Sequence, residues 1–242
     1  MASRIFSTIG ALFGFAALKR YWRWGWRLLL VLLLIDAGYL FGIWPDWDLY
    51  RQGPLQESNF MQAYAADRQR HGGWPRLRWD PTPLAQIPYA MQRAVVVAED
   101  SRFWEHDGID LQAFKEAMEY NLERKSMVYG ASTISQQTVK NLFLTASRNP
   151  LRKWHELWLT LGMEQNLPKR RILELYLNIA EFGRGIYGVG AAARYYYGIP
   201  ASRLRRWQAI ELAATLPSPV ANNPRTRTRA FLRRVHKIGN YL

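Results

Sequence analysis

The residues best equipped for chemistry fall into three short clusters. In "AEDSRFWEHDGID", residues 98–110, Glu99 and Asp100 come directly after the apolar run "AVVVA". A carboxylate leaning on an apolar wall has its charged form disfavoured, so its pKa rises toward values useful for proton transfer. The plainer reading makes the pair solvated helix-end residues, Asp110 the cap of the next helix, and His106 a hydrogen-bonded structural residue. In "GASTISQQTVKN", residues 130–141, Gln137, Lys140 and Asn141 group on nearly one helical face, behind Ser132 or Thr133 as N-cap. Amide donors beside one ammonium suit phosphate oxygens, or the hydroxyl and acetamido groups of a sugar. An exposed polar face is the alternative. In "RNPLRKWHE", residues 148–156, Arg148, Arg152 and Lys153 crowd a helix start, with Glu156 one turn on. Cations are unfavourable there, and as surface ion pairs they would return only about 0.2–0.5 kcal/mol each. An incoming pyrophosphate would relieve the crowding.

Other chemistries lack their residues. The sequence contains no phosphate-binding P-loop, dinucleotide glycine turn, HExxH or nucleophile elbow. His71, His106, His155 and His236 are scattered, which speaks against a histidine-rich metal site. There is no cysteine, so neither a disulfide framework nor a thiolate metal site can form.

The elements that must position the clusters read as helices. From Pro88 onward, "PYAMQRAVVVAED", "DLQAFKEAMEYNLERK", "LRKWHELWLTLGMEQNL" and "PKRRILELYLNIAEF" carry apolar residues at helical spacing, among them Ile172, Leu175, Tyr176 and Ile179. "VGAAARYYYG", "RLRRWQAIELAATL" and a basic segment from about Thr228 add three more. Between Pro45 and Pro88, proline-rich stretches read as extended or turn segments flanking a helical "SNFMQAYAADRQR". No strand ladder and no internal repeat is expected.

Composition bounds the setting. The 242 residues suffice for one domain and an appendage, and 49% apolar content excludes a disordered chain. Leu28–Trp44 reads "LLLVLLLIDAGYLFGIW", flanked by Trp22 and Trp26 on one side and Trp47 on the other. That is the pattern of a single membrane span with aromatic belts. Asp36 interrupts it, at about 3 kcal/mol on insertion scales. Arg4, Lys19, Arg20, Arg23 and Arg27 precede the span without an acidic residue, which places the N-terminus in the cytoplasm. The expected organisation is a cytoplasmic basic N-terminus at 1–27, a transmembrane anchor at 28–44, a membrane-proximal linker or jaw at 45–88, and a catalytic domain at 89–242. A net charge of +14 calls for an anionic partner. For an exported domain that partner is a lipid phosphate rather than nucleic acid.

Taken in order, "AEDSRFWEHDGID", "GASTISQQTVKN", "RKWHELWLTLGMEQNLPKRRILELYLN" and "GRGIYGVGAAARYYYG", spanning Ala98 to Gly198, resemble the peptidoglycan glycosyltransferase family in its monofunctional, membrane-anchored form. Three positions depart from the family's habit: Ala131 for a second Gly, Pro168 for a Ser, and Thr160 for an Ala. None removes a charged or amide group. The resemblance implies a mainly α, lysozyme-like glycosyltransferase domain behind one N-terminal transmembrane helix, in the bacterial inner membrane with the domain periplasmic. It implies a reaction that polymerises lipid II. Glu99 would be the general base and Glu156 a second carboxylate near the leaving pyrophosphate. Lys140, Arg148 and Lys153 would neutralise that pyrophosphate, and Ser132, Thr133, Gln137 and Asn141 would position the donor. Asp100, Phe103 and His106 would hold the Glu99 loop in shape. No obligatory cofactor is evident, and a divalent cation (Mg2+ or Mn2+) at Glu156 is left open. The implied partners are lipid II, the growing lipid-linked glycan, membrane lipids, and division or elongation proteins. The rival readings are a lysozyme-like hydrolase, which has no use for the three cations, and a non-catalytic cell-wall scaffold.

Overall fold

The computed structural model describes residues 2–124, 132–147 and 149–242, with side chains from Tyr21 onward. It divides into two units, 1–45 and 46–242. The first is one helix, α1 (Ala2–Gly42). The basic N-terminal stretch therefore continues the same helix as the apolar run. Among the described residues, one helix, near the N-terminus, is long and apolar enough to cross a membrane, which is compatible with a single-pass anchor. Its flanking aromatics pair with each other, Trp22 edge-on to Trp26 at 5.6 Å, and Arg27 lies over the Trp24 ring at 5.1 Å.

The second unit is mainly helical. It begins with α2 (Trp47–Gln52) and α3 (Asn59–Arg70), capped by the side chains of Asp46 and Ser58. Then come β1 (Arg78–Trp79), a 3-10 turn at Leu84–Gln86, α4 (Tyr89–Glu99), α5 (Leu111–Glu123), α6 (Ile134–Phe143), α7 (Pro150–Asn166) and α8 (Lys169–Ile179). β2 (Glu181–Gly183), β3 (Ile186–Tyr187), α9 (Gly188–Tyr197), a second 3-10 turn at Ala201–Arg203, α10 (Arg206–Thr215) and α11 (Arg229–Gly239) complete it.

Helix α8 is the hub. Its stripe Ile172, Leu175, Tyr176 and Ile179 is buried, and so are Leu173, Leu177 and Asn178. Helices α6, α7 and α9 pack on it, while α4 packs against α10 and α11. The sequence reading expected no strand pairing, yet a small sheet of order β1-β3-β2 is present, with β1 parallel and β2 antiparallel to β3. Strands of two or three residues are too short to carry a period-two pattern. Gly188, just after β3, has φ +79°, and a Cβ there would stand 2.6 Å from the Asn178 carbonyl oxygen. Only glycine takes that conformation at that separation without strain.

Residues 46–88, read from the sequence as a linker or jaw, lie within the second compact unit. Asn178 bonds both the N–H (2.7 Å) and the carbonyl (3.0 Å) of Thr82. Glu174 accepts from the Leu84 N–H at 2.7 Å, and Arg171 donates to the carbonyls of Tyr50 and Gly53. These bonds satisfy backbone groups that a short irregular segment cannot pair internally.

One apolar stripe faces outward. On α5, Leu111, Phe114, Met118 and Leu122 are exposed and only Ala117 is buried. Leu151, Trp154 and Trp158 of α7 are exposed too, while His155, Glu156 and Leu159 point inward.

Candidate active site

Helix α4 ends at Glu99 because its buried face (Met91, Ala94, Val95, Val96) runs out there and Asp100 leaves helical geometry. The Glu99 side chain is only 11% exposed. Gln137 Nε2 donates to its Oε2 at 3.0 Å, and Arg234 Nη2 donates to its Oε1 at 2.6 Å. Burial raises the Glu99 pKa, against the Gln137 bond, the Arg234 charge and the more distant Lys140, which lower it. The Tyr176 hydroxyl donates to Gln137 Oε1 at 3.2 Å, which turns the amide so that its N–H faces the carboxylate.

The loop after Glu99 is stitched to α6. Asp100 accepts from the Ile134 N–H at 2.9 Å and from His106 Nε2 at 3.0 Å. The Gly108 N–H donates to His106 Nδ1 at 3.1 Å, so the ring proton sits on Nε2. The Thr133 hydroxyl donates to the Gly108 carbonyl at 2.6 Å and accepts from the Gln136 N–H, closing a capping box. Gly108 has φ +91°, and a Cβ there would stand 2.8 Å from Thr160 Cγ2 and 2.9 Å from Glu164 Cγ. Phe103 is fully buried beneath the loop, with Lys169 Nζ 4.6 Å from its ring centroid. Asp110 caps α5 through the Ala113 N–H and takes both prongs of Arg102 at 2.8 and 2.9 Å.

Helix α6 thus sets Gln137 against Glu99, with Lys140 and Asn141 one turn further along the same helix. Ser132 is exposed just ahead of the cap, and the buried Thr133 is committed to the cap and the loop. Lys140 is half-buried over the Phe60 ring at 5.9 Å and, among the described residues, forms no ion pair. Burial lowers its pKa; Arg152 and Lys153 push the same way, while Glu156 and Glu99 pull it up. Lys140 therefore lies within electrostatic reach of both candidate carboxylates. Glu156, 3% exposed, accepts from Arg152 Nη1 at 2.6 Å and from Lys153 Nζ. Arg148 lies outside the described residues.

Two groups of acidic side chains are candidates for holding a cation, Glu156 and the Asp100–His106–Asp110 cluster. Both oxygens of Glu156 already accept from cations, and Lys140 is near, so the residues present do not fit a divalent metal. Asp100, His106 and Asp110 bring ligand atoms within 4.8 Å of one another. The loop and cap bonds above already engage all three.

Sequence reasoning missed Arg234 and Tyr176 as partners of this site. Arg234 is 135 residues from Glu99, in a helix whose sequence reads only as basic. Tyr176 was taken as one more residue of a core stripe, and no local pattern marks its hydroxyl as the one that orients Gln137.

A buried carboxylate held by an amide, with a lysine one turn further along the same helix, is the kind of site that suits acid–base chemistry on a ligand carrying negative charge. The sequence model of the family described as Transglycosylase matches residues 71–241. The chain is 42% identical over 197 residues to the biosynthetic peptidoglycan transglycosylase of Nitrosospira multiformis, covering 81% of this chain and 86% of that one. It is 43% identical over 217 residues to the protein of that name from Azoarcus sp., covering 88% and 90%. It is 38% identical over 231 residues to the one from Thiobacillus denitrificans, covering 93% and 97%. The chain belongs to the transglycosylase family and is an enzyme of glycosyl transfer.

Proposed function

We propose that the chain is a peptidoglycan glycosyltransferase that polymerises lipid II into β-1,4 glycan strands with release of undecaprenyl diphosphate. Residues 46–242 form the catalytic unit, and the apolar stretch 28–44, most of it in α1, holds it to the bacterial inner membrane, with 1–27 cytoplasmic and the enzyme periplasmic. One observation carries the reading. Gln137 of α6 holds Glu99, at the end of α4, at 3.0 Å, and one turn along α6 Lys140 feels both Glu99 and the Glu156 cluster, which supports a base and a cationic phosphate site on the two sides of α6.

In this reaction the 4-hydroxyl of the acceptor sugar attacks the anomeric carbon of the donor. Glu99, as the anion, takes the hydroxyl proton. Each of its oxygens spends one lone pair on Gln137 or Arg234 and keeps another for the acceptor. The anomeric carbon–oxygen bond to the diphosphate breaks as the new glycosidic bond forms on the opposite face, which inverts the configuration. Negative charge develops on the departing diphosphate, where Lys140 and Lys153, with Arg148, offset it. Glu156 holds Arg152 and Lys153 in place. Ser132, Gln137 and Asn141 bind the donor's polar groups, Thr133 supports them from the cap, and Asp100, Phe103 and His106 fix the loop that presents Glu99.

The growing chain binds as the second substrate, and lipid surrounds the anchor. The outward Leu111, Phe114, Met118 and Leu122 of α5 supply a second apolar surface for the bilayer. The deciding experiment is incubation of purified protein with labelled lipid II, read out as polymer. Glu99→Gln is expected to abolish polymer while leaving the helical circular dichroism intact; full activity in that variant overturns the base assignment.

A further inference from the structure

A second concentration of positive charge lies apart from the candidate active site. Arg76, Arg78, Arg184, Arg194 and Arg225 line one hollow of about 410 Å3 together with Tyr195, and none of Glu99, Gln137, Lys140 or Glu156 borders it. The five arginines come from four separate segments: the stretch around β1, the β2–β3 turn, α9, and the loop before α11. All five are exposed, so their gathering is not a consequence of core packing.

Their partners are mostly aromatic. Arg225 donates to the Tyr195 hydroxyl at 2.7 Å and to the Tyr195 carbonyl at 3.3 Å, and its guanidinium lies 3.9 Å from that ring's centroid. Arg78 lies over the same ring at 5.2 Å, and Arg184 over Trp74 at 4.8 Å. Of these five arginines, only Arg194 forms an ion pair among the described residues, with Asp80 at 2.5 Å. Glu181 reaches Arg184 only through a longer-range attraction. Aromatic stacking orients a guanidinium without neutralising it; Arg225 is further tied to Tyr195 by two bonds, while the stacked forks of Arg78 and Arg184 stay open to an oxyanion. The hollow falls in the size range of ligand sites, about 300–1,000 Å3. It is far larger than one phosphate ion requires.

We propose that this hollow is a binding site for a phosphate-bearing anion, either a soluble diphosphate or the phosphate headgroup of an anionic lipid. The site stands independently of the roles proposed for Glu99 and its neighbours. The test uses the full chain in non-ionic detergent, with inorganic pyrophosphate as the calorimetric probe. Lys140→Ala/Arg148→Ala/Lys153→Ala is the starting protein, so that the three cations of the candidate active site do not contribute. Pyrophosphate is expected to bind this protein, and adding Arg184→Ala/Arg225→Ala is expected to weaken binding at least tenfold with unchanged circular dichroism. Equal affinity with and without the two arginines overturns the site, as does an absence of binding to the starting protein. Short-chain phosphatidylglycerol, below its micelle concentration, then identifies the source. Displacement of pyrophosphate assigns a lipid headgroup, failure to displace assigns a soluble diphosphate, and both leave the site standing.

Discussion

At the residue scale, Glu99 is set by opposed influences. Burial disfavours its anion, while Gln137 and Arg234 favour it. A base works as the anion, so the rate should fall as pH drops through the raised pKa of Glu99. Removing Arg234 takes away a stabiliser of the anion and should raise that pKa further. The acid limb of the rate profile for Arg234→Gln is therefore expected at higher pH than in wild type, as measured by lipid II polymerisation across pH. An acid limb at unchanged or lower pH would show that Arg234 does not tune the base. Lys140 obeys the opposite rule: burial eases its proton off, and a bound diphosphate would hold it on. Replacing it with Ala removes a charge-assisted bond of about 1.5–3 kcal/mol. Donor affinity should fall roughly tenfold or more, measured as binding of a non-reacting lipid diphosphate.

At the element scale, what positions Glu99 is the junction between its loop and the start of α6. Thr133 serves both sides at once, as helix cap and as the donor to Gly108. Thr133→Val should cost about 1–2 kcal/mol in urea denaturation, the usual worth of a cap. It should also lower activity, because the capped helix carries Gln137 in its first turn and Lys140 in the next. Gly108→Ala should cost more than a cap, since it meets both a left-handed backbone and two side chains under 3 Å away. This junction was partly legible in the sequence. A helix starting behind Ser132 or Thr133, and Asp110 as a cap, follow from local residue types, because capping is a contact over three residues. The helices from Pro88 onward and the basic final helix were legible for the same reason, their signal being periodic along the chain. The short strands were not, for they are defined by pairing rather than pattern. The Arg234–Glu99 pair was not, because nothing near Arg234 distinguishes it from the other arginines of α11. The Tyr176–Gln137 bond was hidden inside a stripe that reads correctly as core. Sequence therefore exposed the parts of the site held by neighbours in the chain and concealed those held by packing.

At the scale of the whole molecule, helical periodicity alone does not say which way a stripe faces. Leu111, Phe114, Met118 and Leu122 have the spacing of a core helix, yet they are 48–74% exposed. Leu151, Trp154 and Trp158 repeat the pattern on α7. Exposing this much large apolar surface in water is unfavourable by about 25 cal/mol per Å2, so the face calls for an apolar environment. Under the proposed function the substrate is lipid-borne and that environment is the bilayer, so the catalytic unit should bind membranes without α1. A protein of residues 46–242 is expected to co-sediment with vesicles of mixed zwitterionic and anionic lipid. Leu111→Ser/Phe114→Ser/Leu122→Ser should release it, with little loss of stability, because these side chains pack against little of the protein. High salt separates the two contributions: it screens the attraction of the positive surface for anionic headgroups and leaves apolar insertion largely intact. Binding that survives salt in the unsubstituted unit and is lost in the triple variant would assign α5 as a second membrane contact. Equal binding by both at high salt, or loss of binding by both, would remove α5 as a membrane contact and leave its stripe as a face for a protein partner.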